Sequence, residues 1–227
     1  MIARRRKSAA RRVGERLVTK SVLVANLKGG CGKTVLATTL AAALAVRGAG
    51  RVALADADRQ KSALRWARRR PADAAPVEAL DWSRAADLGE RPKRLDWLVI
   101  DAPGALGGGK AADLVAEAKA VLVPLAPSFY DLDATKRFLK ELEALKRVRK
   151  GKAGVHLVAN RVKAGSRAAK GLEESFAALG HTPAARIAER AAYGELAERG
   201  LSVFDRPVKA LAPVRAQWAP LIGLLEA

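Results

Sequence analysis

The sequence predicts an α/β fold: a mostly parallel, twisted sheet of about seven strands with helices on both faces. Three observations carry that prediction. Short β-branched runs alternate with longer segments of helical period. A glycine-dense loop joins the first such run to the first helical segment, and carboxylates end several of the runs, at the edge where open α/β sheets bind ligands. A chain of 227 residues has room for one such domain with a buried core.

In chain order, residues 1–20 hold eight basic residues and one acid and are predicted to form a flexible basic arm, with no apolar run of the kind a secretory signal needs. Residues 21–227 then form a single domain. The first strand, SVLVAN at 21–26, is β-branched and short, and the stretch 33–47 that follows is predicted as a helix. Strands are predicted at 51–56, 77–80, 96–101, 120–124, 154–159 and 184–187, each an apolar run bounded by turn residues or charge. Helices are predicted at 62–70, 132–149 and 166–179, with two more after Glu189 and near Ala212. The segment GALGGGK, from Gly104 to Lys110, reads as a loop directly after the strand that ends in Asp101. There is no internal repeat and no linker, so the composition breaks only at the end of the arm.

Half the residues are apolar and 29% are charged, which excludes a disordered chain. The 42 Lys and Arg against 23 Asp and Glu leave +19, a surplus that suits polyanions, nucleic acid first and anionic lipid second. The single cysteine, Cys31, allows no intrachain disulfide and no Cys-rich metal site, which fits a reducing cytoplasm. His156 and His181 stand alone, giving metal binding through histidine little support.

The chemistry concentrates in Lys28-Gly29-Gly30-Cys31-Gly32-Lys33-Thr34, between the first strand and first helix. Glycines let backbone N–H groups converge on an anion with no Cβ in the way. The helix that begins at Lys33 points its N-terminal dipole at the same place, Lys33 would neutralise the β- and γ-phosphates of a nucleoside triphosphate, and the Thr34 hydroxyl would ligate Mg²⁺. The common phosphate-loop pattern asks for glycine where this chain has Leu27; the second lysine, Lys28, is the compensating feature. Cys31 contributes a backbone N–H, and Val35 continues the nucleotide contact into the helix.

This heptad resembles the deviant Walker A motif of the ParA/MinD group of P-loop ATPases, and the resemblance continues to the C terminus in order and spacing. Asp56-Ala57-Asp58-Arg59-Gln60 looks like the family's D-x-D-P-Q segment, with Arg59 in place of the usual proline. Residues 98–103, LVIDAP, look like its Walker B strand and switch, and residues 123–128 with Asp131 are similar to the segment after the next strand. Asn160-Arg161 resembles an adenine-side loop. The closest likeness is to short ParA proteins without a long N-terminal helix-turn-helix region.

What the resemblance implies is an ATPase of slow, partner-stimulated turnover, using ATP and Mg²⁺. Asp58 would position the attacking water, Asp56 and Asp101 would stand with Thr34 in the magnesium shell, and Lys28 would reach the nucleotide of a second subunit, so that ATP joins a homodimer. The dimer would bind DNA without sequence preference and let go on hydrolysis, segregating or positioning plasmid, chromosomal or protein cargo. Its activator would be a centromere-binding or adaptor protein, and its location the nucleoid. The family places its DNA surface in the C-terminal half, where Lys163, Arg186, Lys209 and Arg215 are the candidate contacts, beside Arg167 and Arg190. The arm, with Arg4, Arg5, Arg6, Lys7, Arg11 and Arg12, is a second candidate. Arg65, Arg68, Arg69 and Arg70 around Trp66 read either as a partner-binding cluster or as the solvated side of a packed helix.

Two alternatives share the fold. A MinD-like membrane switch needs a basic amphipathic C-terminal helix, whereas the last fifteen residues hold one cation, Arg215, and are interrupted by Pro220. A biosynthetic ligase of the P-loop class has no use for a charge of +19.

Overall fold

A computed structural model describes residues 19–84, 88–104, 106, 109–163 and 165–227. Seven parallel strands, β1 (Lys20–Val24), β2 (Val52–Asp56), β3 (Glu78–Asp81), β4 (Trp97–Asp101), β5 (Ala120–Leu125), β6 (Gly154–Val162) and β7 (Ala185–Ala188), form one sheet in the order β3-β2-β4-β1-β5-β6-β7. The order reverses direction at β1, so the loop after β1 opens between β4 and β5, where open parallel sheets form a crevice.

Side chains along β1 alternate between two buried layers. Leu23 and Ala25 join Leu98, Ile100, Val121, Val123 and Phe138 on one face; Val22 and Val24 join Leu36, Leu40, Leu44, Val99, Leu122 and Trp218 on the other. The first layer is covered by α3 (Gly109–Glu117), α4 (Phe129–Ala144) and α7 (Leu172–Ala178), the second by α1 (Lys33–Val46), α2 (Ser62–Arg68) and α10 (Ala219–Glu226). Burial on both faces explains why the strands read as continuous apolar runs. Three short helices complete the chain: α5 (Lys146–Arg149), α6 (Arg167–Lys170) and α8 (Ala191–Ala197), with α9 (Ala212–Ala216) just before α10.

The differences from the predicted elements have local causes. The strand β1 begins at Lys20, inside the stretch assigned to the arm, because Lys20 pairs in register with Trp97; residues 1–18, with the arm's other cations, lie outside the described residues. The glycine-dense segment reads as loop, yet α3 starts at Gly109 inside it and buries Ala111, Leu114 and Val115; part of that segment, too, is outside the described residues. The helix expected at 132–149 starts earlier, with Ser128 as N-cap accepting from the Asp131 amide, and breaks at Leu145, which is extended. The helix expected at 166–179 is reset at Gly171.

Pro220 does not interrupt the C terminus: it sits in the first turn of α10, where proline lacks no needed N–H. That helix buries Leu221, Ile222 and Leu225 in the core, which commits the apolar side a membrane helix would need. No helix among the described residues is long and apolar enough to cross a membrane.

Behind the sheet's β2 end, α2 is tied to the segment after α8. Trp66 donates its indole N–H to the Leu201 carbonyl at 3.1 Å. Arg70 pairs with Asp205 at 2.8 and 3.2 Å, donates to the Gly200 and Ala75 carbonyls, and stacks 4.8 Å from the Trp66 ring. Both charged side chains are nearly dry, at 6% and 2% exposure. Of the arginine cluster around Trp66, Arg70 is therefore structural, while Arg65, Arg68 and Arg69 are exposed.

Candidate nucleotide site

The loop after β1 takes its shape from polar anchors. Asn26 is fully buried; its side-chain amide donates to the Pro124 carbonyl and the Thr135 hydroxyl, both at 2.9 Å, and its oxygen accepts from the Lys28 amide. Gly30 and Gly32 have φ of 78° and 90°, a left-handed conformation open mainly to glycine. At Gly32 a Cβ would also collide with the Asn160 side-chain amide. From the end of β6, Asn160 donates to the Cys31 carbonyl at 2.8 Å and Arg161 to the Gly30 carbonyl at 2.9 Å. Pulling these carbonyls outward leaves the loop free to aim its amides inward, as an anion cradle requires. Arg161 holds this position at φ 54°, its guanidinium also paired with Glu189 at 2.7 Å.

Lys33 is buried, with its ammonium 2.7 Å from the Lys28 carbonyl. The Lys28 side chain, in contrast, has no partner among the described residues and does not line the adjoining cavity. Cys31 is completely buried, and burial raises its thiol pKa, leaving it a poor redox sensor.

Three carboxylates stand at the carboxyl ends of β2 and β4. Asp101 is 1% exposed, and neither of its oxygens meets a donor at full hydrogen-bond geometry. Burial raises its pKa to about 7; the nearby Thr34 hydroxyl and Lys33 oppose this, and Asp56 and Asp58 reinforce it. An orphaned, dry carboxylate beside a threonine hydroxyl is a donor set that a hard divalent cation fits, so Asp101 and Thr34 are the residues that would hold Mg²⁺. Asp56 does a different job in this conformation. Its oxygens accept from the Asp58 amide at 3.0 Å and the Leu64 amide at 2.9 Å, bracing the turn into α2; burial raises its pKa as well. Asp58 is partly exposed and bridges two loops, accepting from the Gln60 amide at 2.9 Å and from the Gly104 amide at 3.1 Å. Lys110 spans the same gap, donating to the Ala57 carbonyl.

Of the three carboxylates only Asp58 lines the adjoining cavity of about 450 Å³, a size suited to a nucleotide. One end is lined by Gly29, Gly30, Gly32, Lys33, Thr34, Val35, Asp58 and Gly104, and Asn160 and Arg161 form a side wall. The rest of the lining includes Ile187, Ala188, Tyr193 and Trp218, apolar groups fit for a planar base, beside the charged Glu189 and Arg190. There the buried Trp218 donates to the Tyr193 hydroxyl at 2.9 Å, with their ring centroids 6.3 Å apart. Sequence reasoning missed Asn26, Tyr193 and Trp218; a buried-type asparagine directly before the loop was the one available signal.

The cations expected at a DNA surface are partly committed elsewhere. Arg186 forms a two-point pair with Glu173, both contacts at 2.9 Å. Arg215 donates to the carbonyls of Arg206, Val208 and Val203 and holds the loop before α9. Lys163 and Lys209 are exposed and unpaired among the described residues.

Residues 22–203 match the CobQ/CobB/MinD/ParA nucleotide binding domain. A maintenance of carboxysome distribution protein A from Halothiobacillus neapolitanus is 32% identical over 190 residues, 82% of this chain and 87% of that protein. The fold is similar to an ATP complex of a Cyanothece McdA variant, with a TM-score of 0.70 at 18% identity over 89% of this chain and 96% of that one. It is also similar to the MinD cell division protein of Aquifex aeolicus, with a TM-score of 0.69 at 20% identity over 90% and 98%.

Proposed function

The chain belongs to the CobQ/CobB/MinD/ParA nucleotide-binding family, and from that premise we propose that it is a positioning ATPase which moves a cargo over DNA. It is an ATPase that uses ATP with Mg²⁺. The finer reading has ATP joining two subunits into a dimer that holds DNA without sequence preference, and hydrolysis releasing it. Its cargo is a protein compartment, a choice favoured by the similarity to a carboxysome distribution protein, and an adaptor protein stimulates turnover.

The observation that carries this reading is the contrast between the two loop lysines. Lys33 is folded into its own cradle, while Lys28 is unpaired outside the cavity. A cation so placed is free to complete the site of a facing subunit, as an arginine finger does. Bound Mg²⁺ would spread the charge of the transferred phosphoryl group. For their part, Lys33 and the loop amides bind the phosphates, Thr34 and Asp101 hold the metal, and Asp58 orients a water molecule. Coupling between ATP and dimerisation is reciprocal, so a dimer-breaking change also weakens ATP binding.

The test is sedimentation and duplex gel shift with and without a slowly hydrolysed ATP analogue. Lys28→Ala is expected to remain a folded monomer with the analogue, whereas the parent dimerises and gains affinity for arbitrary DNA. A dimer unchanged by Lys28→Ala overturns the role in trans, and equal DNA binding with and without analogue overturns the gating.

A further inference from the structure

Among the described residues, a dense run of unneutralised charge lies at the end of the sheet opposite the nucleotide. Residues 146–152 hold Lys146, Arg147, Arg149, Lys150 and Lys152 with no acid, and the surplus across 136–152 is still +6 when Glu141 and Glu143 are counted. This segment is α5 and the turn that enters β6. There Gly154 donates to the Lys119 carbonyl, and Lys119 in turn donates its amide to Ser21. Lys119 and Lys152 therefore stand just ahead of adjacent paired strands, at the same edge of the sheet.

Arg147 is spent on the Ala118 and Lys152 carbonyls. The side chains of Lys119, Lys146, Arg149, Lys150 and Lys152 are exposed and have no partner among the described residues. Acids on the same edge are engaged: Glu117 pairs with Arg91, and Glu226 with Arg47. Cations in the last turn of a helix complement its dipole, but a four-residue helix needs one or two, and like charges three and four residues apart repel.

We propose that Lys119, Lys146, Arg149, Lys150 and Lys152 form a second DNA-binding surface that grips duplex phosphates whether or not nucleotide is bound. The inference rests on the reading that this ATPase works on DNA, and it adds a weaker, ungated contact: hydrolysis ends the dimer's tight hold, while this surface keeps a loose, salt-sensitive one. A strand of six residues places the patch about 20 Å from the phosphate loop, too far for the nucleotide to gate it directly. Duplex DNA fits better than a lipid surface because the segment presents no apolar anchor: Leu145 and Val148 pack inward against the core.

The test compares the full chain with Lys146→Ala/Arg149→Ala/Lys150→Ala/Lys152→Ala, by fluorescence anisotropy on a random-sequence duplex across a salt series, without nucleotide and with the ATP analogue. Both proteins keep residues 1–18, so the arm's contribution cancels. Four lost phosphate contacts should flatten the log–log salt slope by about 3 to 4 and weaken nucleotide-free binding at least tenfold near 50 mM salt, as an order-of-magnitude expectation. Dimerisation with the analogue should be unchanged, which also reports that the variant folds. Equal nucleotide-free affinity of the two proteins, or binding that appears only with the analogue, overturns the patch and leaves the positioning ATPase standing. Absence of DNA binding by the parent in every state overturns the DNA reading itself. Tighter binding of the parent to phosphatidylserine vesicles than to duplex, lost in the variant, overturns DNA in favour of a membrane.

Discussion

Removing the Arg70 guanidinium should cost more than any surface arginine in the chain. Arg70→Ala leaves the Asp205 carboxylate, 2% exposed, with only the Ser202 amide and hydroxyl as donors, and strips the Gly200 and Ala75 carbonyls of a charged partner. Breaking a buried pair from one side costs about 3–5 kcal/mol because an uncompensated charge stays behind. For a chain of this size that is a fall in melting temperature of roughly 6–20 °C. The assay is a double-mutant cycle in urea or heat on the nucleotide-free protein, with Arg70→Ala, Asp205→Asn and both together. Asparagine keeps an acceptor but removes the charge, so the double variant should recover about 1–3 kcal/mol relative to the sum of the two singles. A loss below about 1 kcal/mol for Arg70→Ala, or simple additivity, would refute the claim that the pair is a dry and coupled unit.

Two further outcomes are expected. Asp58→Asn keeps an acceptor for the Gln60 amide but loses the charge proposed to orient water, so phosphate release should fall about 10²- to 10⁴-fold while nucleotide affinity stays within roughly threefold; near-normal turnover would move that role to another group. Gly32→Ala forces a Cβ into a left-handed backbone and against Asn160, a strain of about 1–3 kcal/mol, and a fluorescent-nucleotide titration should show affinity reduced at least tenfold with helical content unchanged. Parental affinity would mean that the loop rearranges freely.

The alternation of strands and helices, and the phosphate loop between β1 and α1, were legible because both are local signals: periodicity over a dozen residues, and glycines adjacent to lysines. What was not legible depends on distant partners. Asn26 reaches Thr135, Trp66 reaches Leu201, and Arg70 reaches Asp205, 135 residues away, a pairing no window of sequence displays. Arg186 and Arg215 carry the same letter as a free surface arginine, and only the fold reveals that one is held by Glu173 and the other by three carbonyls. The helix α3 was missed because its glycine-dense beginning masks a buried stripe only three residues wide, Ala111, Leu114 and Val115.

The rims of the sheet bear on how such a molecule associates. At one rim β3 has only four residues and carries Glu78 and Asp81, fastened to Arg51 and Lys61; at the other, β7 is equally short and Arg186 bolts it to Glu173. Open strand rims invite permanent growth by addition of a neighbour's backbone, and short, charged ones discourage it. A pair of subunits meant to part after each turnover needs an adhesive that can be consumed. With both rims blunted in this way, the proposed dimer, joined by a ligand that hydrolysis destroys, would have no competing route through strand addition.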